Sequence, residues 1–378
     1  MTNSSSTPNP TSRRDFAARV ALAGATVLFN GFHTARGQEA ARPKAATPPP
    51  DLREVCRNIR GFQHFAPYAE TLEEMWGRYD HAAWERDLEI ARQVGANTLR
   101  FWLSPAAHAS NPQAHLDALA RVLDLCEQKG MVCIVSFFNA WRTIYPERWG
   151  VGHILPGDAF LPFAHRYDNF VRDFARRFGT DRRILMWEIC NEPEALGNDD
   201  ILLRFLGYWY GFLKGADVQQ PVSIGLENPW YLERTAQYSD VLNFHTYETD
   251  AAKLESLLLY CKNIAARLNK PLFCSETGTG GVTAEAMEAN RKIFAANRWN
   301  PRPGGQEAHR ENIRLQTALM EKHGIGYVLP WLVEGRAADT CDERQSNLGN
   351  LALFHTDGTP RAGGSILKWD KKLPLPKP

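Results

Sequence analysis

Two glutamates stand at the ends of apolar runs of the kind that form buried strands in a parallel sheet. The first run, 184–191, leads to Glu192, and the following Pro193 cannot donate a hydrogen bond to a neighbouring strand. The second run, 271–275, leads to Glu276. Carboxyls at the C-terminal tips of buried strands are where α/β barrels carry their chemistry. In such a barrel, we therefore expect both side chains to lie at the same opening, the one formed by the C-terminal ends of the strands (the mouth).

Residues suited to holding a sugar stand at other predicted strand ends. In chain order they are Arg100, Asn139, Asn191, His245, Tyr247 and Trp331. In cleavage of a glycosidic bond, one carboxyl protonates the leaving oxygen, and the other meets the oxocarbenium-like carbon as its positive charge develops. Two glutamates among these side chains therefore predict cleavage of glycosidic bonds.

The segments that position these residues alternate between strand and helix patterns. We expect strands at 58–65, 97–103, 131–138, 184–192, 221–226, 241–245, 271–276 and 326–331. Helical spacing and capping residues, such as Asp80 and Asn111, predict helices between them. This order favours the α/β class and a single (β/α)8 TIM barrel, with long βα loops after strands 3, 7 and 8. A doubly wound sheet is disfavoured because the turn after the first strand lacks G-x-G-x-x-G.

Four segments are predicted along the chain. Residues 1–37 contain a twin-arginine pattern, an apolar stretch and small residues at a cleavage position, which predict a signal peptide; a disordered basic tail is the alternative. Residues 38–55 are predicted to be an Ala/Pro-rich linker, 56–372 the catalytic barrel and 373–378 a tail. The apolar stretch is too short and interrupted for a permanent membrane anchor. We expect export to the periplasm or the extracellular space.

Composition excludes several classes of protein. The chain has 378 residues, with 44 basic and 43 acidic side chains and no basic block, so a nucleic-acid partner is not expected. The seven cysteines cannot all pair, and no C-x-x-C motif is present. Cys133, Cys190 and Cys274 lie in strand patterns and are expected to be buried. No cluster of metal ligands is apparent, so we predict no metal and no cofactor, and we expect a monomer.

The stretch Trp187–Pro193 resembles the W-E-x-x-N-E-P signature of the clan A glycoside hydrolases, especially family five, the cellulase and mannanase family. Arg100, the His245–Tyr247 stretch, Glu276 and Trp331 match the rest of that pattern in order, and the resemblance extends over about 58–371. It implies a retaining mechanism. The resemblance gives Glu192 the role of acid/base and Glu276 that of nucleophile, with the carboxyls about 5–5.5 Å apart.

The same resemblance implies the supporting roles. Arg100 and Tyr247 would hydrogen-bond Glu276, Asn191 would bind the hydroxyl next to the reacting carbon, His245 would line the cleft and Trp331 would stack under the ring. The histidine that many members carry after strand three is missing here. Asn139 could replace its hydrogen bond, or Trp141 could add a stacking surface, and the sequence leaves both open.

The remaining glutamates have simpler interpretations. Glu188 faces the same side as the acid/base but lies deeper, so we expect a buried polar brace. Glu194, Glu227, Glu248 and Glu334 fall in predicted loops, where a solvated charge is expected.

The residues at the strand ends and the resemblance together predict a retaining, endo-acting β-glycosidase of β-linked glucan- or mannan-type poly- or oligosaccharides. The alternatives are a non-catalytic sugar-binding barrel, and a β-xylanase, exo-β-glycosidase or transglycosylase of the same clan.

Overall fold

The computed structural model describes residues 51–139, 167–196, 199–280, 304–334 and 351–375. The predicted signal segment and the three predicted long loops lie outside these residues. Helix α1 covers Leu52–Asn58, with Asp51 as its N-cap, and so includes residues that the sequence assigned to the linker. Within the described part of the chain, no helix is long and apolar enough to cross a membrane.

Eight parallel strands form the centre of the molecule. They are β1 Arg60–Gln63, β2 Thr98–Trp102, β3 Val132–Asn139, β4 Ile184–Asn191, β5 Val222–Gly225, β6 Leu242–Thr246, β7 Leu272–Thr277 and β8 Gly326–Leu329. Each is hydrogen-bonded to its neighbours in the order β5-β4-β3-β2-β1-β8-β7-β6. Parallel bridges join Ser223 to Val241 and Leu226 to Phe244, between β5 and β6. The predicted TIM barrel is therefore confirmed.

Helices alternate with these strands. After α1 they are α2 Leu72–Gly77, α3 His81–Gln93, α4 Pro105–Ser110, α5 Pro112–Gln128, α6 Asp168–Phe178, α7 Asp199–Gly215, α8 Leu232–Thr235, α9 Ala251–Arg267 and α10 Gly305–Lys322. The predicted caps are present: the side chain of Asp80 accepts from Ala83 N–H, and that of Asn111 from Ala114 N–H. The short helices α1, α2 and α4 were not expected from the sequence. Each has too few turns to show a clear apolar period.

Two apolar clusters hold the barrel. The larger lies between the sheet and the helices. The smaller joins Val55 of α1 to Ile134, Met186, Phe273 and Val328 of four strands, and all five are buried. Helix α1 thus contributes to the apolar cluster that fills one end of the barrel. The polar residues described below lie nearer the opposite end, which is formed by the C-terminal ends of the strands. Six cysteines are free and buried, including the three predicted to be so, and Cys341 lies outside the described residues.

Candidate active site

Glu192 and Glu276 meet at the C-terminal end of the barrel. One carboxylate oxygen of Glu192, one of Glu276 and a ring nitrogen of His245 lie within 4.8 Å of one another. Glu192 is buried and follows β4 directly. Its backbone has a left-handed φ of 51°, and its N–H donates to the Gly225 carbonyl at 2.7 Å. A non-glycine residue in the left-handed region costs about 1–3 kcal/mol and persists only where the surrounding structure holds it.

The carboxylate of Glu276 accepts hydrogen bonds from three side chains. Arg100 donates from Nη1 to Oε2 at 3.1 Å, and Gln63 donates to the same oxygen. The hydroxyl of Tyr247 donates to Oε1. All three groups are donors in these bonds, so the pocket is built for the anionic carboxylate. The predicted contacts from Arg100 and Tyr247 are present in the structure.

Arg100 is fully buried and makes more contacts than the sequence suggested. It donates to Glu188 through Nε at 3.2 Å and Nη2 at 2.6 Å, and Nη2 also donates to Asn191 Oδ1 at 2.6 Å. Burial alone would lower the pKa of Arg100, but the charges of Glu188 and Glu276 outweigh it and the pKa is raised. A planar guanidinium with two carboxylate partners has little freedom to rotate. Arg100 therefore fixes the position of the Glu276 carboxylate.

Glu188 is the buried brace predicted from strand alternation. It is fully buried and pairs with the arginine below the mouth. Asn243 on β6 donates to Glu188 Oε2 at 3.0 Å, and its own Oδ1 accepts the Ser275 N–H at 3.0 Å. One carboxylate thus links β2, β4 and β6, and Asn243 extends the link to β7.

His245 contacts the predicted acid/base directly. Its Nδ1 lies 2.7 Å from Glu192 Oε1, and its Nε2 lies 2.9 Å from Ser275 Oγ. Burial lowers the pKa of His245 to about 4, although the carboxylates of Glu276 and Glu188 favour its charged form. A neutral imidazole donates from one nitrogen and accepts at the other. Ser275 can donate to Nε2, which leaves Nδ1–H to donate to Glu192.

Asn139 and Asn191 meet at the ends of β3 and β4. Asn191 Nδ2 donates to Asn139 Oδ1 at 3.3 Å, while the other end of the Asn191 amide accepts from the arginine. The orientation of Asn191 is thereby set from both sides. Trp141, the second predicted candidate after strand three, lies outside the described residues.

Trp331 belongs to an aromatic wall on the far side of the mouth. It follows β8, and its ring centroid lies 5.8 Å from those of both Phe65 and Trp102. Its backbone is held by the Leu353 N–H, which donates to the Trp331 carbonyl at 3.1 Å. The ring is partly buried, so its packed side is supported while part of it stays accessible to a bound molecule.

Tyr247 reaches Glu276 from the side of β6. The residue is 37% exposed, yet its hydroxyl is bonded to Glu276. Burial of that hydroxyl and the adjacent carboxylate charges raise the pKa of Tyr247 well above its usual value. The phenol therefore stays a donor at neutral pH.

The loop glutamates differ from the solvated charges expected for them. Glu194 Oε1 accepts the Asn228 N–H at 3.0 Å, its Oε2 has no partner among the described residues, and burial raises the pKa of Glu194 to about 8. Glu248 accepts the N–H groups of the next two residues at 2.9 and 2.8 Å. Glu334 pairs with His355 at 2.7 Å and Arg361 at 3.0 Å. The prediction was wrong for these three, because each is partly buried and its carboxyl is bonded to other groups of the protein. Glu227 is exposed, as expected.

Glu192, His245 and Glu276 are the group in the described residues with metal-ligand atoms close together. The 2.7 Å between His245 Nδ1 and Glu192 Oε1 is a hydrogen-bond distance. Both oxygens of Glu276 are already occupied by donors. The trio therefore does not present three free ligands to an ion, and the absence of a metal requirement stays a prediction.

Three residues of this network were missed in the sequence. Gln63 and Asn243 are ordinary polar residues in short strands, and Ser275 immediately precedes a predicted catalytic residue. The alternation of side chains along a strand could have indicated two of them. Gln63 lies two residues after Gly61 on β1, and Asn243 lies two residues before His245 on β6. Residues two apart face the same side of the sheet, so each shares a face with a residue that points into the barrel.

Solved structures share this fold. An exo-β-1,4-mannosidase from Opitutaceae bacterium strain TAV5 aligns with a TM-score of 0.61 and 16% identity, over 80% of this chain and 57% of that one. An endo-1,4-β-D-mannanase from Thermotoga petrophila aligns with a TM-score of 0.54 and 14% identity, over 77% and 98%. A β-D-glucuronidase from Dictyoglomus thermophilum aligns with a TM-score of 0.59 and 16% identity, over 83% of this chain and 51% of that one.

Sequence comparison gives the family. Mannan endo-1,4-beta-mannosidase A from Aspergillus aculeatus is 24% identical over 158 residues, which span 37% of this chain and 42% of that relative. The model of the cellulase family matches residues 51–300, a stretch that contains both glutamates. The chain belongs to the cellulase family, glycosyl hydrolase family 5.

Proposed function

We propose that this protein is a retaining β-glycosidase, with Glu192 as general acid/base and Glu276 as nucleophile. The observation that carries the proposal is the approach of their carboxylate oxygens to within 4.8 Å. Retaining glycosidases hold the two carboxyl groups about 5–5.5 Å apart, whereas inverting enzymes need about 6.5–9.5 Å to admit a water.

In the first step, a Glu276 carboxylate oxygen attacks the anomeric carbon. The glycosidic C–O bond breaks, and the departing oxygen takes the proton from Glu192. The hydrogen bond between His245 and Glu192 Oε1 orients the carboxyl that carries this proton. Arg100, Gln63 and Tyr247 hold the attacking carboxylate in one orientation.

In the second step, the Glu192 carboxylate removes a proton from water. That water attacks the anomeric carbon from the face the leaving group vacated, and the ester bond to Glu276 breaks. The sugar is released with its original anomeric configuration. During both steps Asn191 is placed to bind the neighbouring hydroxyl, and Trp331 to stack against the ring.

We propose β-linked glucan- or mannan-type chains, cleaved internally, as the substrate. Mannan is supported by the relatives, since a mannan endo-1,4-beta-mannosidase matches in sequence and mannanases match in fold. The aromatic wall at Trp331 suits the C–H faces of a neutral sugar ring. Export through the twin-arginine segment, predicted from the sequence, would bring such an enzyme to polymeric substrates.

The test is hydrolysis of β-glucans, mannans and xylans by the parent protein, Glu192→Ala and Glu276→Ala. We expect the parent to cleave at least one glycan and both variants to lose nearly all turnover on it. Azide should restore turnover of an activated aryl glycoside by Glu192→Ala, since that variant still forms the ester. A variant that keeps parental turnover would refute the assignment of its residue. Binding without cleavage across the panel would favour a sugar-binding barrel.

A further inference from the structure

Glu227 is a carboxyl at the mouth to which the proposed mechanism gives no role. Among the described residues it has no hydrogen-bond or ion-pair partner, although the polar groups around it are joined in one network. It is exposed, but partial desolvation and the charges of Glu192 and Glu276 raise the pKa of Glu227 to about 7. Both catalytic carboxylates are therefore electrostatic neighbours of this side chain.

Glu227 lies just beyond the C-terminal end of β5. A Cβ at Gly225 would lie 2.9 Å from Glu188 Oε2 and from His245 Nε2, so the last residue of β5 faces the inner network. Leu226 faces the other way and is buried in the larger apolar cluster. Glu227 follows in the bend after the strand, close enough to Glu192 and Glu276 for their charges to act on its carboxyl.

The segment around Glu227 is held on both sides. The Leu226 carbonyl accepts the His245 N–H at 2.7 Å, and the Asn228 N–H donates to Glu194 Oε1 at 3.0 Å. Because these bonds already hold the backbone, only the side chain of Glu227 has to be ordered when a ligand binds. Its position suits recognition of a ligand better than a solvated charge.

The location of Glu227 indicates which part of a substrate it would meet. Strand β5 lies next to β4, which carries the acid/base, and across the barrel from β1. The aromatic wall of Phe65, Trp102 and Trp331 lies on the β1 side. A sugar that stacks on Trp331 while Glu192 protonates its leaving oxygen directs the leaving group towards β5.

We propose that Glu227 is a specificity-determining residue that accepts hydrogen bonds from hydroxyl groups of the sugar on the leaving-group side. A carboxylate without a protein donor has free acceptor sites, and sugar hydroxyls supply donors. This inference rests on the proposed glycosidase activity. It predicts that Glu227 contributes to catalysis only when the leaving group is itself a sugar.

The experiment compares two substrates with the same glycone. One is a tetrasaccharide of the glycan that the parent cleaves, and the other is the 4-nitrophenyl β-glycoside of the corresponding disaccharide, whose leaving group has no sugar hydroxyls. For Glu227→Ala we expect kcat/KM on the tetrasaccharide to fall about tenfold to a hundredfold, the range for a lost hydrogen bond to a charged group. On the aryl glycoside we expect less than about a threefold change. Glu227→Gln, which keeps one acceptor oxygen, should lie between.

The matched control is Glu233→Gln, an exposed glutamate on α8 that pairs with Arg267 on the outer surface. It should leave both substrates unchanged. Equal losses on both substrates for Glu227→Ala would overturn the inference and place Glu227 in the chemistry or the fold, and no loss on either would overturn it as well. A parent protein inactive on every glycan and aryl glycoside would instead refute the proposed function, and this inference with it.

Discussion

His245 Nδ1 lies 2.7 Å from Oε1 of Glu192, and the same imidazole is bonded through Nε2 to Ser275. Ser275, which precedes Glu276, is thus connected to Glu192 through one imidazole ring. If Glu192 is the acid/base, as proposed, the hydroxyl of Ser275 helps to set which nitrogen of His245 donates to it.

Ser275→Ala tests this hydrogen-bonded series of Ser275, His245 and Glu192, called the relay below. Without the hydroxyl, the ring is free to place its proton on Nε2, and Nδ1 then no longer donates to Glu192. We expect kcat/KM, which reports the steps up to formation of the ester, to fall about fivefold on glycosides with poor leaving groups, the effect of one lost hydrogen bond. The kcat/KM of dinitrophenyl glycosides, whose leaving group needs no proton, should be almost unchanged. Ser223→Ala is the control, because Ser223 is a buried strand serine whose hydroxyl has no partner among the residues that the structure describes. Equal losses on both classes of leaving group would contradict the relay.

Arg100→Met should cost both stability and activity. It leaves Glu188 buried without its cation, and breaking a buried ion pair from one side typically destabilises by about 3–5 kcal/mol. Turnover should fall about a hundredfold or more, as when a preorganised donor is removed. The double variant Arg100→Met with Glu188→Gln should recover most of the stability in urea unfolding but none of the turnover. Recovery of both would mean that the arginine serves only the fold.

Gln63→Leu removes one donor to the Glu276 carboxylate with little change in volume. We expect kcat to fall about tenfold or more, because a hydrogen bond to a charged group is worth roughly 1.5–3 kcal/mol. The midpoint of urea unfolding should change much less. Gln220→Leu is the contrasting variant: Gln220 bonds the Phe178 and Asp181 carbonyls away from the mouth. That change should lower stability and leave kcat intact. If Gln63→Leu instead lowered stability and left kcat unchanged, the role of Gln63 in holding the Glu276 carboxylate would be contradicted.

His309 should make the fold sensitive to acid. It is fully buried, neither ring nitrogen has a partner within the described part of the chain, and burial with the charge of Arg361 lowers the pKa of His309 to about 4. Between pH 6.5 and about 4 the unfolded chain binds a proton at this ring and the folded chain does not. Stability is therefore lost as the pH falls through that window, by up to roughly 3 kcal/mol from this group.

The measurement is the free energy of unfolding as a function of pH for the parent and His309→Gln. The variant should have a shallower acid slope between pH 6.5 and 4. His81→Gln, at an exposed position, should keep the parental slope. An unchanged slope in His309→Gln would show that the ring is protonated in the folded protein.

The sequence was sufficient to predict the barrel, because its strands are short apolar runs that end at residues typical of turns. It was also sufficient to place Glu192, Arg100 and Tyr247 near one another at the strand ends, because charged and phenolic residues are unusual in such runs. It was insufficient for Gln63 and Ser275, since an amide or hydroxyl in a strand has no distinctive pattern until a partner faces it. Glu194 was misjudged for the same reason. Its burial depends on the Asn228 N–H, 34 residues away, which no local signal reveals.

The register of β4 shows a further limit of sequence reading. In a regular strand Asn191 and Glu192 would point to opposite faces, yet both belong to the site. The ladder to β5 shifts between Glu188 and Asn191, and Glu192 adopts a left-handed φ. Strand periodicity alone could not predict either departure.

The most direct measurement is covalent trapping with a 2-deoxy-2-fluoro β-glycosyl fluoride of the sugar that the parent cleaves. The fluorine slows both steps, and fluoride departs without needing a proton, so the ester between enzyme and sugar should accumulate. We predict one added sugar per chain by mass spectrometry, located on the peptide that contains Glu276, and retained anomeric configuration in the products of an ordinary substrate. Inverted products, or a sugar attached to any other carboxyl, would contradict the assignment of Glu276 and Glu192 as nucleophile and acid/base.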